Sequence, residues 1–146
     1  RSVVMWEKGN SYPWRMQGLP SKVQQLAWSK PTVKGAPLLA LMSGERVVVW
    51  TKTANPSKDG TMKVLDTHEG IVQAISFRPN TFLLASAAED GCLYLWQKSG
   101  WIAQTLEGAS GGFSCLAWAE QGTMLAAGGS GGELLVWTET ARKEFK

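Results

Sequence analysis

The chain of 146 residues contains one histidine, His68, and two cysteines, Cys92 and Cys115. A single histidine excludes a histidine-rich metal centre, and the cysteines are too far apart for Cys-x-x-Cys zinc ligation. No metal or other cofactor is therefore expected. Both cysteines fall in apolar strand-like surroundings, and a buried free-thiol pair there fits a reducing compartment. No run approaches the roughly 18 consecutive apolar residues that suggest a membrane span. No basic-then-apolar leader opens the sequence, so a cytoplasmic protein is expected. Charge is also sparse: Asp, Glu, Lys and Arg make up 18% of the chain and the net charge is +3. Basic residues are scattered, apart from the stretch Arg142-Lys143-Glu144-Phe145-Lys146, which reads as a solvated tail. That distribution argues against a nucleic-acid partner.

What the chain does have is glycine (16 residues) and tryptophan (eight). Glycine marks tight turns, and tryptophan fills wide gaps between sheets. Four of the tryptophans each end a short apolar run: Trp6, Trp50, Trp96 and Trp137, in steps of 44, 46 and 41 residues. A period of this length predicts a repeated four-stranded unit. One unit reads clearly as Val72–Phe77, a turn at Arg78-Pro79-Asn80, the small apolar run Leu83–Ala87, and a tight turn at Glu89-Asp90-Gly91. It then continues through Leu93–Trp96 and Trp101–Leu106. Four short strands separated by such turns predict an antiparallel meander.

The other units superimpose on this one. Val23–Trp28 and Phe113–Trp118 repeat the first strand, and Leu38–Leu41 and Met124–Ala127 repeat the second. Met62–Asp66 and Tyr12–Gln17 repeat the fourth, the latter with Pro13 in an edge strand that can spare an amide donor. The stretch Ser29 to Pro37 is longer than its counterpart Arg78 to Thr81. The expected divisions are the outer two strands of a partial blade over 1–21, then blades over 22–66, 67–107 and 108–146. The last of these has an uncertain outer strand between Thr138 and Lys146.

The pattern resembles the WD-repeat propeller family over nearly the whole chain. The residues that carry the likeness are Thr67-His68, Val72, Ile75, Phe77, Leu84-Ala85-Ser86, Asp90-Gly91 and Trp96-Gln97. The family's terminal Trp-Asp is replaced throughout: Glu7, Thr51, Gln97 and Thr138 follow the four tryptophans. The resemblance implies an all-β propeller, here about 3.5 four-stranded blades of a seven-blade ring. The remaining blades would come from a preceding N-terminal part or from another chain. It also implies a buried hydrogen-bonded set of His68, Ser86, Asp90 and Trp96. The equivalents are Ala109, Ala127, Gly131 and Trp137 in one unit and Leu19, Leu41, Gly44 and Trp50 in another. The polar partners are present or absent together, as expected if a half-satisfied buried network is worse than an apolar one.

Ser86, His68 and Asp90 also have the residue types of a nucleophilic triad. Ser86 stands in a run of small apolar residues without a strained elbow, so a structural role is expected. Gly128-Gly129-Ser130-Gly131-Gly132 is followed by no Lys-Ser or Lys-Thr and no helical pattern, so it reads as a turn, not a phosphate loop. The expected function is a non-enzymatic scaffold for a protein or peptide partner. By resemblance, the contact face carries the fourth-to-first and second-to-third strand loops, here with Lys22, Arg46, Glu69, Glu89, Ser110 and Ser130. Two alternatives are an enzyme with chemistry in a central channel and a sensor or regulatory module of a larger protein.

Overall fold

The computed structural model of the protein describes residues 1–30, 35–53 and 60–139. These residues form thirteen strands in four antiparallel sheets, and no helix. A two-stranded sheet pairs β1 (Val3–Met5) with β2 (Trp14–Met16). A four-stranded sheet follows as β3 (Val23–Trp28), β4 (Leu38–Ser43), β5 (Arg46–Thr51) and β6 (Thr61–Leu65). The next is β7 (Val72–Phe77), β8 (Leu84–Ala88), β9 (Leu93–Trp96) and β10 (Ile102–Leu106). A three-stranded sheet of β11 (Phe113–Trp118), β12 (Met124–Gly129) and β13 (Leu134–Thr138) completes the set.

Each strand pairs with its neighbour in sequence because tight turns join them. Gly91 takes a φ of 79° and Asn80 a φ of 61°. Glycine adopts that region without a Cβ clash, and asparagine tolerates it better than other side chains. In β3, β7 and β11 the register slips at one place, at Val23/Gln25, Val72/Ala74 and Phe113/Cys115 respectively. A bulge adds local twist. Its recurrence at one position in three units shows that the repeat extends to backbone geometry.

The sheets stack face to face, and one apolar core fills each gap. Met5, Trp14, Met16, Leu39, Leu41 and Trp50 lie between the first two sheets. Leu38, Val47, Leu65, Phe77, Leu84 and Trp96 belong to the next core. Leu93, Leu95, Phe113 and Leu125 belong to the third. Strands β4 and β8 are buried along their whole length, which explains their uninterrupted small and apolar residues. The outer face of the last sheet is open, and Leu134 is 75% exposed there. The innermost strands are tied across sheets. The Gln25 amide donates to the Ile75 carbonyl and accepts from the Ile75 N–H, both at 3.2 Å. Trp118 Nε1 donates to the Ser76 carbonyl at 3.2 Å.

The structure differs from some sequence expectations. Pro13 precedes β2 instead of lying within a strand, and Trp101 precedes β10 and is exposed. The cysteines are free but are not a buried pair: Cys92 is half-buried in the turn before β9, and Cys115 is exposed on β11. Apolar neighbours in sequence misled here because alternate residues of a strand face opposite sides. The final stretch 140–146 and residues 31–34 of the longer loop lie outside the described residues.

Leu84 is 1% exposed between two sheets, so Leu84→Ala should destabilise the protein by about 2–5 kcal/mol through lost burial and a cavity. Leu134→Ala on the open face should change stability by less than about 0.5 kcal/mol. Urea unfolding of the two variants checks the contrast.

Candidate functional site

The turn between β8 and β9 and the segment before β7 are joined by a chain of polar side chains. Trp96 Nε1 donates to Ser86 Oγ at 2.8 Å, and Ser86 Oγ lies 2.8 Å from His68 Nε2. His68 Nδ1 is 3.0 Å from Asp90 Oδ2. Asp90 also accepts from the Glu69 N–H at 2.9 Å and the Cys92 N–H at 3.0 Å. One arrangement satisfies every group: Trp96 donates to Ser86, Ser86 donates to His68 Nε2, and His68 donates from Nδ1 to Asp90. That requires neutral histidine. Burial lowers the His68 pKa from its ordinary 6.5, and this outweighs the opposing pull of Asp90. For Asp90, burial raises the pKa, but hydrogen bonds from Cys92, Glu69 and His68 together hold it below 3.8.

The order Asp-His-Ser has the connectivity of a triad, but Ser86 is 0% exposed and its oxygen is engaged by an indole N–H. No carbonyl can approach that oxygen from solvent, so the set acts as a tie between a loop, a turn and two strands. Cys92 is also a poor nucleophile, since burial raises its thiol pKa. Tyr94, with its ring centroid 4.6 Å from that of His68, covers the network, and burial pushes its hydroxyl up to about 12.

Strand register places Leu41 and Ala127 where Ser86 stands, and both are buried. Leu19 and Ala109 are buried apolar residues in their own units. The β3–β6 unit uses a different tie, legible only after folding. Ser43 Oγ accepts from the Ser21 N–H at 2.8 Å and donates to the Ser21 carbonyl at 2.9 Å. A lone serine at a strand end carries no sequence signal for this.

Lys22, Arg46, Glu69, Glu89, Ser110 and Ser130 are all exposed at one end of the strands, Arg46 as the first residue of β5 and the others on turns or loops. The turns are joined into one rim. Val72 N donates to the Gly44 carbonyl across two sheets at 3.0 Å. Ser130 N donates to the Gly112 carbonyl at 2.9 Å. Gly112 approaches so closely that a Cβ there would stand 2.7 Å from the Glu89 carbonyl oxygen. The Glu89 carboxylate accepts from Gln73 at 2.8 Å, while Lys22, Arg46 and Glu69 join no ion pair among the described residues. One clamp escaped sequence reading because its members are distant in the chain. Arg78 donates to the Gly122 carbonyl at 2.8 Å and pairs with Glu139 at 3.0 Å, joining the third sheet to the last.

A family model described as "WD domain, G-beta repeat" matches residues 60–97 and 100–138. The chain is 32% identical over 137 residues to protein transport protein SEC31 of Phaeosphaeria nodorum, covering 85% of this chain. It is 37% identical over 67 residues to protein Atg16l2 of Mus musculus, covering 44% of this chain. The chain spans 11% of the length of either relative. Among solved structures, a chain of a mitotic checkpoint complex superimposes with a TM-score of 0.74 at 19% identity. That likeness covers 94% of this chain and 41% of the other, and at this identity it bears on the fold alone.

The His68 geometry sets a pH dependence. Because its folded pKa lies below 6.5, its contribution to stability is complete above that pH. It is lost as the pH falls through the folded value, because the unfolded chain takes up the proton first. Asp90 adds a second loss below pH 3.8. Urea midpoints measured against pH should therefore begin to fall near 6.5. In His68→Gln, which leaves no histidine, they should stay level until the carboxylate range.

Proposed function

The chain belongs to the WD-repeat family, and from that premise we propose that it is a non-enzymatic platform on which a protein or peptide partner docks. The observation that carries this reading is the rim, where backbone contacts hold loops from successive sheets to one another while their side chains point to solvent. A rigid scaffold that presents variable loops suits recognition, because few groups need to be ordered on binding. Lys22, Arg46, Glu69, Glu89, Ser110 and Ser130 are the proposed contacts. Their mixed charge suits a partner surface that carries both signs. Among the described residues no group of His, Cys, Asp and Glu is arranged to hold a metal ion. We place the protein in the cytoplasm, where its free thiols are stable.

The open outer face of the last sheet and the two-stranded first sheet suit packing against further blades. Those blades would come from elsewhere in a longer protein or from another chain.

Replacing Arg46 and Glu89 together by alanine tests the rim. The proteins captured from lysate by the variant should lose members relative to the parent, with the thermal midpoint unchanged within about 2 °C. An unchanged capture profile would remove this rim from consideration.

A further inference from the structure

The end of the sheets opposite the rim carries two cavities that are copies of one another. The first, about 250 Å³, lies between the second and third sheets and is lined by Val49, Thr51, Lys63, Phe77, Phe82, Trp96 and Lys98 among others. The second, about 400 Å³, lies between the first and second sheets. Strand register aligns them position by position. Met5 and Trp14 face each other as Val49 and Lys63 do, and Trp28 opposes Leu39 as Phe77 opposes Leu84. Lys52 and Lys98 each stand two residues beyond the repeat's tryptophan, Trp50 and Trp96 respectively.

The copies differ in charge. In the second cavity, Lys52 pairs with Glu7 at 2.5 Å and lies 5.5 Å from the Trp14 ring centroid. In the first, Thr51 stands in place of Glu7 and Lys63 in place of Trp14, so two lysines border an apolar space with no acid among the described residues that line it. Lys63 donates to the Ser99 carbonyl, and the Lys98 ammonium stands 4.4 Å from the Phe82 ring centroid. Neither lysine has an acidic partner among the described residues. At the junction beyond, the residue matching Lys98 is Glu139, and it is paired with Arg78. Of the three equivalent positions, Lys98 alone has no counter-ion among the described residues.

We propose that this cavity is a docking site for an acidic peptide segment that inserts one bulky apolar side chain. The apolar walls of Phe77, Phe82 and Trp96 would bury that side chain, and carboxylates on either side of it would meet Lys63 and Lys98. The inference rests on the reading of the chain as a protein-binding platform, but it places a second contact away from the rim.

The test uses the purified full-length protein and a fluorescein-labelled peptide with one phenylalanine flanked by two aspartates on each side. Binding is read by anisotropy. Saturable binding is expected, weakened at least tenfold when the phenylalanine is replaced by alanine and falling as salt rises. Lys63→Glu with Lys98→Glu should abolish it and should confer binding to the matching lysine-flanked peptide. Thr51→Glu, which restores the carboxylate of the sister cavity, should weaken binding at least tenfold without reversing charge at the lysines. It serves as the readout if the double variant fails to fold. No saturable binding, or binding indifferent to these substitutions, overturns the proposal. Dodecanoate binding more tightly than the peptide also overturns it, by assigning the cavity to a free fatty acid. Arg46→Ala with Glu89→Ala should leave peptide affinity unchanged, so failure at the rim and failure at the cavity are told apart.

Discussion

The structure depends on the burial of both faces of each central sheet by its neighbours. β4 and β8 are buried from end to end, so the middle of each sheet has no side left to water. Three cores, each shared by two successive sheets, are the consequence. Because the driving force scales with apolar area removed from water, a sheet of this composition cannot be stable alone. Each blade is therefore defined by its contacts with the next as much as by its own hydrogen bonds. In repeat architectures of this kind stability is largely a sum of unit and interface terms.

Within that constraint, each unit closes its loop end differently. The β7–β10 unit uses Trp96, Ser86, His68 and Asp90, with every donor and acceptor satisfied. The β3–β6 unit buries leucine at the equivalent places and holds the loop by Ser43 against the Ser21 backbone. These are alternative solutions to one requirement, since buried polar groups stabilise only when all their partners are present. The same reasoning explains why a triad-like order of residues here is architectural. The serine oxygen is occupied and shielded, and no substrate can reach it.

The opposite end of the sheets shows what variation among repeats can do for function. Equivalent backbone positions give equivalent cavities, and a change at two positions converts a self-neutralised site into one bordered by two lysines. Repetition supplies an internal control that a single-copy fold lacks. A lysine near an apolar surface is ordinary. A lysine with no counter-ion among the described residues, where the charges at both equivalent positions are paired, is an asymmetry with a chemical direction.

Much of this was legible in the sequence. The spacing of Trp6, Trp50, Trp96 and Trp137 gives the repeat, and short runs punctuated by glycine and asparagine give antiparallel strands, because turn geometry and side-chain alternation are local properties. The members of the His68 network follow from the family resemblance together with the absence of polar residues at the matching places in other units. The Ser43 tie, the Arg78–Glu139 clamp, the recurrent bulge and the paired cavities were not legible. Each joins residues distant in the chain whose types are unremarkable alone, and the exposure of Cys115 was hidden because sequence does not say which strand face meets a neighbour. Local chemistry thus determined what the strands are and where they turn. Only the stacking of the sheets decided which side chains share a space and which charges are left without a partner, because those depend on distances that the chain acquires when it folds.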